Sequence, residues 1–272
     1  MPEGDTVWRT ARLLDRALGG HPLSMTDFRV PALATIDLSG GLVRQTVSRG
    51  KHLLTHIDTP TQFWSLHTHL KMEGAWQIYA PGQRWRRPVH QARVVLRAGD
   101  RLAVGFSLGI VELLTRHDEA SALGHLGPDL LGPDWDESLA VQRLLADPSR
   151  AIRDALLDQR CLAGIGNMYA AELCFLHGVH PRAAVGSVPA LLRMVRRAHQ
   201  MLDLNKDRAI QCTTGDLAAG RRLWVYQRDQ QPCRRCGTTI KVAMVGEPGV
   251  ERAAYWCPAC QPQTQTSPPG SR

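Results

Sequence analysis

The sequence predicts an α+β protein: an N-terminal helix with a β-sandwich or barrel, a helical middle, and a C-terminal β-hairpin built around a metal site. Three observations lead there. Short segments punctuated by Gly, Pro and Asp fill residues 22–115, apolar side chains recur at three- and four-residue spacing across 138–204, and two Cys-x-x-Cys pairs stand near the end. A chain of 272 residues is long enough for more than one core.

Val7, Trp8, Ala11, Leu14 and Leu18 mark a helix over 5–18, stopped by Gly19-Gly20. The segments HLLTHI, QFWSLHTHL, GAWQIY, ARVVLRA and RLAVGF read as strands, and ARVVLRA alternates best, with Ala92, Val94 and Leu96 on one face. HLGPDLLGPDWDES, beginning at His125, has the composition of an interdomain linker. Four helices follow in DESLAVQRLLAD, SRAIRDALLDQ, NMYAAELCFLHG and VPALLRMVRRAHQML. CLAGIG joins the second and third as a helix–turn–helix pattern. The division is therefore a first domain at 1–124, a linker at 125–137, a helical domain at 138–225, a cysteine hairpin at 226–261 and a disordered tail at 262–272.

Lys and Arg outnumber Asp and Glu by 33 to 25, a net charge of +8, which points to a polyanionic partner. No run of eighteen apolar residues is present, and the N-terminus lacks the basic start and apolar stretch of an export signal, so an intracellular protein is expected. Its seven cysteines are then expected to be reduced thiols or metal ligands. Cys161 and Cys174 lie among apolar residues and read as buried hydrophobes. Cys233, Cys236, Cys257 and Cys260 have the spacing of a structural Zn2+ site, whose four thiolates leave no position open for chemistry. The segment between the pairs reads as two strands about a Gly-Glu-Pro-Gly turn. Around it, Arg221, Arg222, Arg228 and Arg252 suit a phosphate backbone or form a solvated basic face. Pro2-Glu3 by itself reads as an ordinary helix start, with proline at the first position and an acid in the first turn.

MPEG at the start, SRGKHLL at 48–54, LAGIGNMYAAE at 162–172 and the cysteine hairpin occur in that order. Together they resemble the formamidopyrimidine-DNA glycosylase and endonuclease VIII family of base-excision repair enzymes, along nearly the whole chain. The resemblance implies a β-sandwich domain, a helix–two-turn–helix domain and a zinc finger. It also gives Pro2-Glu3 another meaning. Removal of Met1 bares Pro2 as a secondary amine, and an α-amino group with a pKa of roughly 7.7–8.0 keeps a neutral fraction that a free lysine lacks. In the family the residue matching Pro2 attacks C1′ of the damaged nucleotide, and the one matching Glu3 is a general acid at the sugar ring oxygen, which requires a raised pKa. Lys51 matches a lysine that assists base loss and β-elimination. Arg252 matches the arginine that grips the lesion phosphate and is linked to δ-elimination, so that the strand is nicked by β,δ-elimination. Asn167, whose plain role would be a helix N-cap, binds the same backbone. Lys71 and Met72 match the loop whose apolar tip fills the gap left by the everted base. His125 stands where some relatives have a DNA-contacting arginine.

The implied partner is double-stranded DNA carrying oxidised bases or abasic sites, bound by a monomer in the bacterial cytoplasm with one structural zinc. GFSLGIVELL lacks the Arg-Arg-Phe-Gly segment of the formamidopyrimidine branch, which predicts the endonuclease VIII branch and oxidised pyrimidines ahead of 8-oxoguanine. A second glutamate common at the sixth position is Thr6, with Asp5 as a substitute acid, and 212–222 is a loop able to close over the base. Two other readings are a non-catalytic damaged-DNA binder on the same scaffold and a zinc-ribbon RNA-binding protein with an unrelated N-terminal domain.

Overall fold

The computed structural model describes residues 2–246, 249 and 251–263. Glu247 and Pro248 of the predicted turn, and 264–272 of the predicted tail, lie outside the described residues.

Helix α1 (Gly4–Leu18) buries Val7, Ala11, Leu14 and Leu18, the face read from their spacing. Glu3 is its N-cap in extended backbone, so Pro2 lies outside the helix and is not its first residue. Eight strands follow: β1 (Leu23–Phe28), β2 (Leu42–Arg49), β3 (His52–Asp58), β4 (Phe63–His69), β5 (Ala75–Tyr79), β6 (Ala92–Ala98), β7 (Arg101–Phe106) and β8 (Ile110–Leu114). They form two four-stranded sheets, β1-β6-β7-β5 and β2-β3-β4-β8, with antiparallel pairing throughout. Two separate sheets make this a sandwich and not a closed barrel. Val94 and Leu96 share a core with α1, while Ala92 and Val95 pack with Tyr79, Val104 and Phe106 in a smaller cluster. Ala92 thus leaves the face it was assigned. A register shift between Ala92 and Val94 is the reason, since one extra residue reverses every side chain beyond it.

After β8 comes a helix the periodicity did not mark, α2 (Arg116–Leu123), started by a Thr115–Asp118 capping box. The Gly-Pro-Asp segment then packs as a buried strip. Leu126 through Leu130 are buried, and the strip bonds to the helical unit through Ala163 N to Pro128 O at 2.9 Å and Leu130 N to Ala163 O at 3.1 Å.

Helices α3 (Glu137–Leu145), α4 (Ile152–Leu157) and α5 (Asn167–Leu176) fall within their predicted segments, α6 (Leu191–Asn205) starts within its segment and runs past its end at Leu202, and β9 (Lys241–Val245) pairs with β10 (Arg252–Trp256). The hairpin does not have a core to itself. Cys233, Ile240 and Cys257 belong to the same buried cluster as Leu173, Phe175, Val195 and Leu202. Every residue of α5 except Leu176 is buried, which makes it the central rod of that cluster. No described helix is long and apolar enough to cross a membrane.

Candidate active site at the junction of the two units

The first residues thread into the turn before α5. Gly4 N donates to Gly164 O at 2.8 Å, and a Cβ on Gly4 would lie 2.9 Å from Gly164 Cα. The Glu3 carboxylate then accepts hydrogen bonds from the backbone N–H groups of Gly166 at 2.6 Å, Met168 at 2.8 Å and Tyr169 at 3.4 Å. A Cβ on Gly166 would stand 2.5 Å from Glu3 Cδ, so the Gly-Ile-Gly of the motif clears space for this acid. The first turn of α5 has no capping side chain of its own, and Glu3 satisfies it from 163 residues away in sequence.

Glu3 is fully buried, with 0% exposure. Burial is the largest influence on it and raises its pKa to about 7, helped by Asp5 and opposed by Lys51 and the helix N–H groups. Burial likewise pulls Lys51 down to about 8, against the attraction of Glu3 and with the repulsion of Arg252. The two groups therefore straddle neutral pH within electrostatic reach of each other.

Lys51 owes its place to the turn between β2 and β3. Gly50 adopts φ +57°, and a Cβ there would lie 2.9 Å from Ala163 Cβ. Gly50 N donates to Asp129 Oδ2 at 2.8 Å, and Arg49 pairs with Asp134 at 2.7 Å. The acids of the Gly-Pro-Asp strip fasten the lysine turn across the junction.

Arg252 opens β10 and is exposed, with its carbonyl accepting from Arg153 Nη2 at 3.1 Å. The same Nη2 donates to Asn167 Oδ1 at 2.9 Å, and Asn167 Nδ2 donates to Ala253 O at 2.8 Å. Asn167 is the first residue of α5 and not its N-cap, which is Gly166. Its side chain is 5% exposed and welds the helix to the hairpin. Asp5, the substitute considered for the missing sixth-position acid, accepts from Tyr169 Oη at 2.9 Å and Gln211 Nε2 at 2.8 Å. Lys71, Met72 and His125 are all exposed, Met72 at 64%. Lys71 and His125 act electrostatically on His52, the neighbour of Lys51.

Sequence reasoning missed Arg153, Asp129, Tyr169, Gln211 and Glu172. Glu172, fully buried on α5, accepts from Thr213 Oγ1 and from the backbone N–H groups of Trp224, Val225 and Tyr226 at 2.8–2.9 Å. It therefore ties together both ends of the loop that contains 213–224. A signal existed for two of these residues. Arg153 and Glu172 are charges set on apolar helical faces, where an unpaired ion is too costly to keep.

The four clustered cysteines bring their sulfurs within 4.8 Å of one another. The Sγ···Sγ separations are 3.9 Å for Cys233–Cys260 and 3.5 Å for both Cys236–Cys257 and Cys236–Cys260. A tetrahedral ion with bonds of about 2.3 Å needs edges of about 3.8 Å, so the set fits one ion.

Residues 1–107 match the formamidopyrimidine-DNA glycosylase N-terminal domain, and residues 126–209 match the formamidopyrimidine-DNA glycosylase H2TH domain. The chain belongs to this glycosylase family. A probable endonuclease 8 2 of Streptomyces coelicolor is 50% identical over 99% of this chain and 97% of its own. A DNA-(apurinic or apyrimidinic site) lyase Nei2 of Mycolicibacterium smegmatis is 51% identical over 96% of this chain and 99% of its own. Among solved structures, Lactococcus lactis Fpg in complex with abasic-site DNA superposes with a TM-score of 0.78 at 21% identity, covering 96% of this chain and all of that one, and shows the shared fold. The relatives' names fall on the endonuclease VIII side, as the missing Arg-Arg-Phe-Gly segment predicts. The matched first domain removes the reading in which an unrelated N-terminal domain carries an RNA-binding zinc ribbon.

Proposed function

We propose that the protein is a bifunctional DNA glycosylase and AP lyase that removes oxidised pyrimidines from duplex DNA, using Pro2 as nucleophile. The observation that carries this reading is Glu3: a fully buried carboxyl beside the N-terminal residue, with a pKa of about 7, facing Lys51 at about 8. Shifted carboxyl pKa values concentrate at functional sites, and this one lies directly beside the residue matched to the nucleophile.

With Met1 removed, the Pro2 nitrogen lone pair forms a bond to C1′. As that bond forms the C1′–base bond breaks, its electron pair leaving on the base. Pro2 gives up its N–H proton, which passes by way of Lys51 to the departing base. The freed nitrogen lone pair forms C1′=N+ as the C1′–O4′ bond breaks and protonated Glu3 delivers its proton to O4′. The resulting iminium acidifies the C2′ proton. Loss of that proton gives a C1′=C2′ enamine, whose electron pair forms C2′=C3′ as the C3′–O bond breaks and the 3′ phosphate leaves, restoring the iminium. Lys51, with a neutral fraction at neutral pH, moves protons at the base and at C2′. Arg252 takes the lesion phosphate, and Asn167, held by Arg153 and Ala253, has its second Nδ2 hydrogen to offer the same backbone. Met72 fills the vacated stack, with Lys71 and His125 on the backbone. Cys233, Cys236, Cys257 and Cys260 hold a zinc ion that fixes the hairpin and through it Arg252. The enzyme acts as a monomer in the bacterial cytoplasm.

Excision from duplexes carrying dihydrouracil or thymine glycol is expected to exceed excision of 8-oxoguanine opposite cytosine by about tenfold or more. Faster release of 8-oxoguanine, measured in single-turnover assays, would move the protein to the other branch. For the metal, chelation with verified zinc loss is expected to loosen the hairpin and weaken DNA binding by about tenfold or more, because metal affinity in such modules is folding energy. Unchanged affinity after zinc loss contradicts the structural role.

A further inference from the structure

The loop 70–74 between β4 and β5 exposes residues 71–73 but is fixed by hydrogen bonds at both ends. Gly74 N donates to Leu70 O at 2.8 Å, and a Cβ on Gly74 would overlap that carbonyl. Arg87 Nη1 donates to Glu73 O at 2.8 Å. Lys71 adopts φ +51°, the left-handed region that L side chains enter only at a cost. Its backbone N–H donates to His69 Nδ1 at 2.9 Å. Gly109 N donates to His69 O at 2.9 Å, and a Cβ on Gly109 would overlap the Lys71 side chain. The outcome is Met72 at the apex, 64% exposed.

The His69 ring is itself held. His52 lies opposite it across β3 and β4, with the rings edge to face at 5.1 Å. Glu112 Oε1 accepts from His67 Nδ1 at 2.6 Å, which leaves His67 Nε2 to accept from His52 Nδ1 at 2.8 Å. Burial, with Lys71, Lys51 and His67 close by, keeps His69 neutral, with a pKa of about 4. Its Nδ1 lone pair is therefore free to accept, and its proton sits on Nε2.

We propose that His69 is a positioning residue for the void-filling loop: its Nδ1 lone pair holds Lys71 in the left-handed conformation that presents Met72. This rests on the reading of Met72 as the wedge.

Two substitutions separate this role from any direct contact made by the ring's far nitrogen. In His69→Asn the amide oxygen falls near the Nδ1 position, whereas in His69→Gln the amide falls near Nε2 and the near acceptor is lost. Hydrogen exchange of the Lys71 amide is followed by NMR in full-length protein of verified melting temperature. Protection is expected in wild type and His69→Asn and is lost in His69→Gln. Excision from lesion duplex is expected to fall about tenfold or more in His69→Gln and to stay within about threefold of wild type in His69→Asn, since small misplacement of a working group costs at least that much. Incision of a single-stranded abasic oligonucleotide, which has no stack to fill, is expected to change little in either. An active His69→Gln with an impaired His69→Asn, equal loss in both, or an unprotected Lys71 amide in wild type overturns the proposal. If wild type acts on neither substrate, the functional reading fails, while the amide measurement still decides the role of His69.

Discussion

Retention of Met1, enforced by an N-terminal extension, is expected to reduce incision of abasic duplex by about a thousandfold or more, the scale set by losing a covalent nucleophile. The reason is electronic. Joined to Met1, the Pro2 nitrogen is a tertiary amide whose lone pair is delocalised into the carbonyl, and it cannot attack C1′. DNA affinity measured in parallel is expected to stay within about threefold, because the cationic side chains assigned to the backbone are untouched. Pro2→Gly, which still ends in an amine after Met1 removal, is expected to keep a residual rate. Equal incision by blocked and processed protein removes Pro2 from the chemistry.

Glu3→Gln is expected to lower base excision by about a hundredfold to ten-thousandfold, the range for removing a general acid, with a smaller loss on preformed abasic sites. Wild-type excision is expected to decline as pH rises through about 7, where Glu3 loses its proton, and the variant to lack that limb. Stability carries the same signature. Glu3 is an acid whose folded pKa is raised from 4.5 to about 7, so between those values the folded chain holds a proton that the unfolded chain has released. Stability from this group is therefore full below about 4.5 and declines as pH rises, by about 3 kcal/mol in total once pH exceeds the folded pKa. Urea midpoints at pH 5 and pH 8 are expected to differ more in wild type than in Glu3→Gln. A larger difference in the variant contradicts the assignment.

Much of this architecture was legible in the sequence because its signals are local. Helical spacing in α1 and α3 to α6 and the paired cysteines each depend on residues within one element. The β6 bulge was not legible, since a register shift is a property of two strands and ARVVLRA reads as clean alternation alone. Helix α2 was hidden for a different reason: among its residues only Leu123 is buried, so no apolar stripe marks it. In the site, Pro2, Glu3 and Lys51 were found through motifs, but the causes of their properties lie elsewhere in the chain. Asp129 anchors the Lys51 turn, the N-terminus of α5 takes Glu3, and Arg153 joins Asn167 to the strand of Arg252. These contacts span 79 to 165 residues of sequence for Asp129 and Glu3, which no short pattern encodes. Asn167 shows the limit most plainly. Its position before an apolar run reads as a cap, whereas the fold gives capping to Glu3 and leaves Asn167 to hold the hairpin.

The most direct measurement is borohydride reduction of the protein during turnover of a dihydrouracil duplex, followed by peptide mapping of the cross-link by mass spectrometry. The account predicts a reduced deoxyribose fragment on the nitrogen of an N-terminal peptide that begins at Pro2. An adduct on Lys51 or another side chain, or active turnover with no trapped species at all, would contradict it.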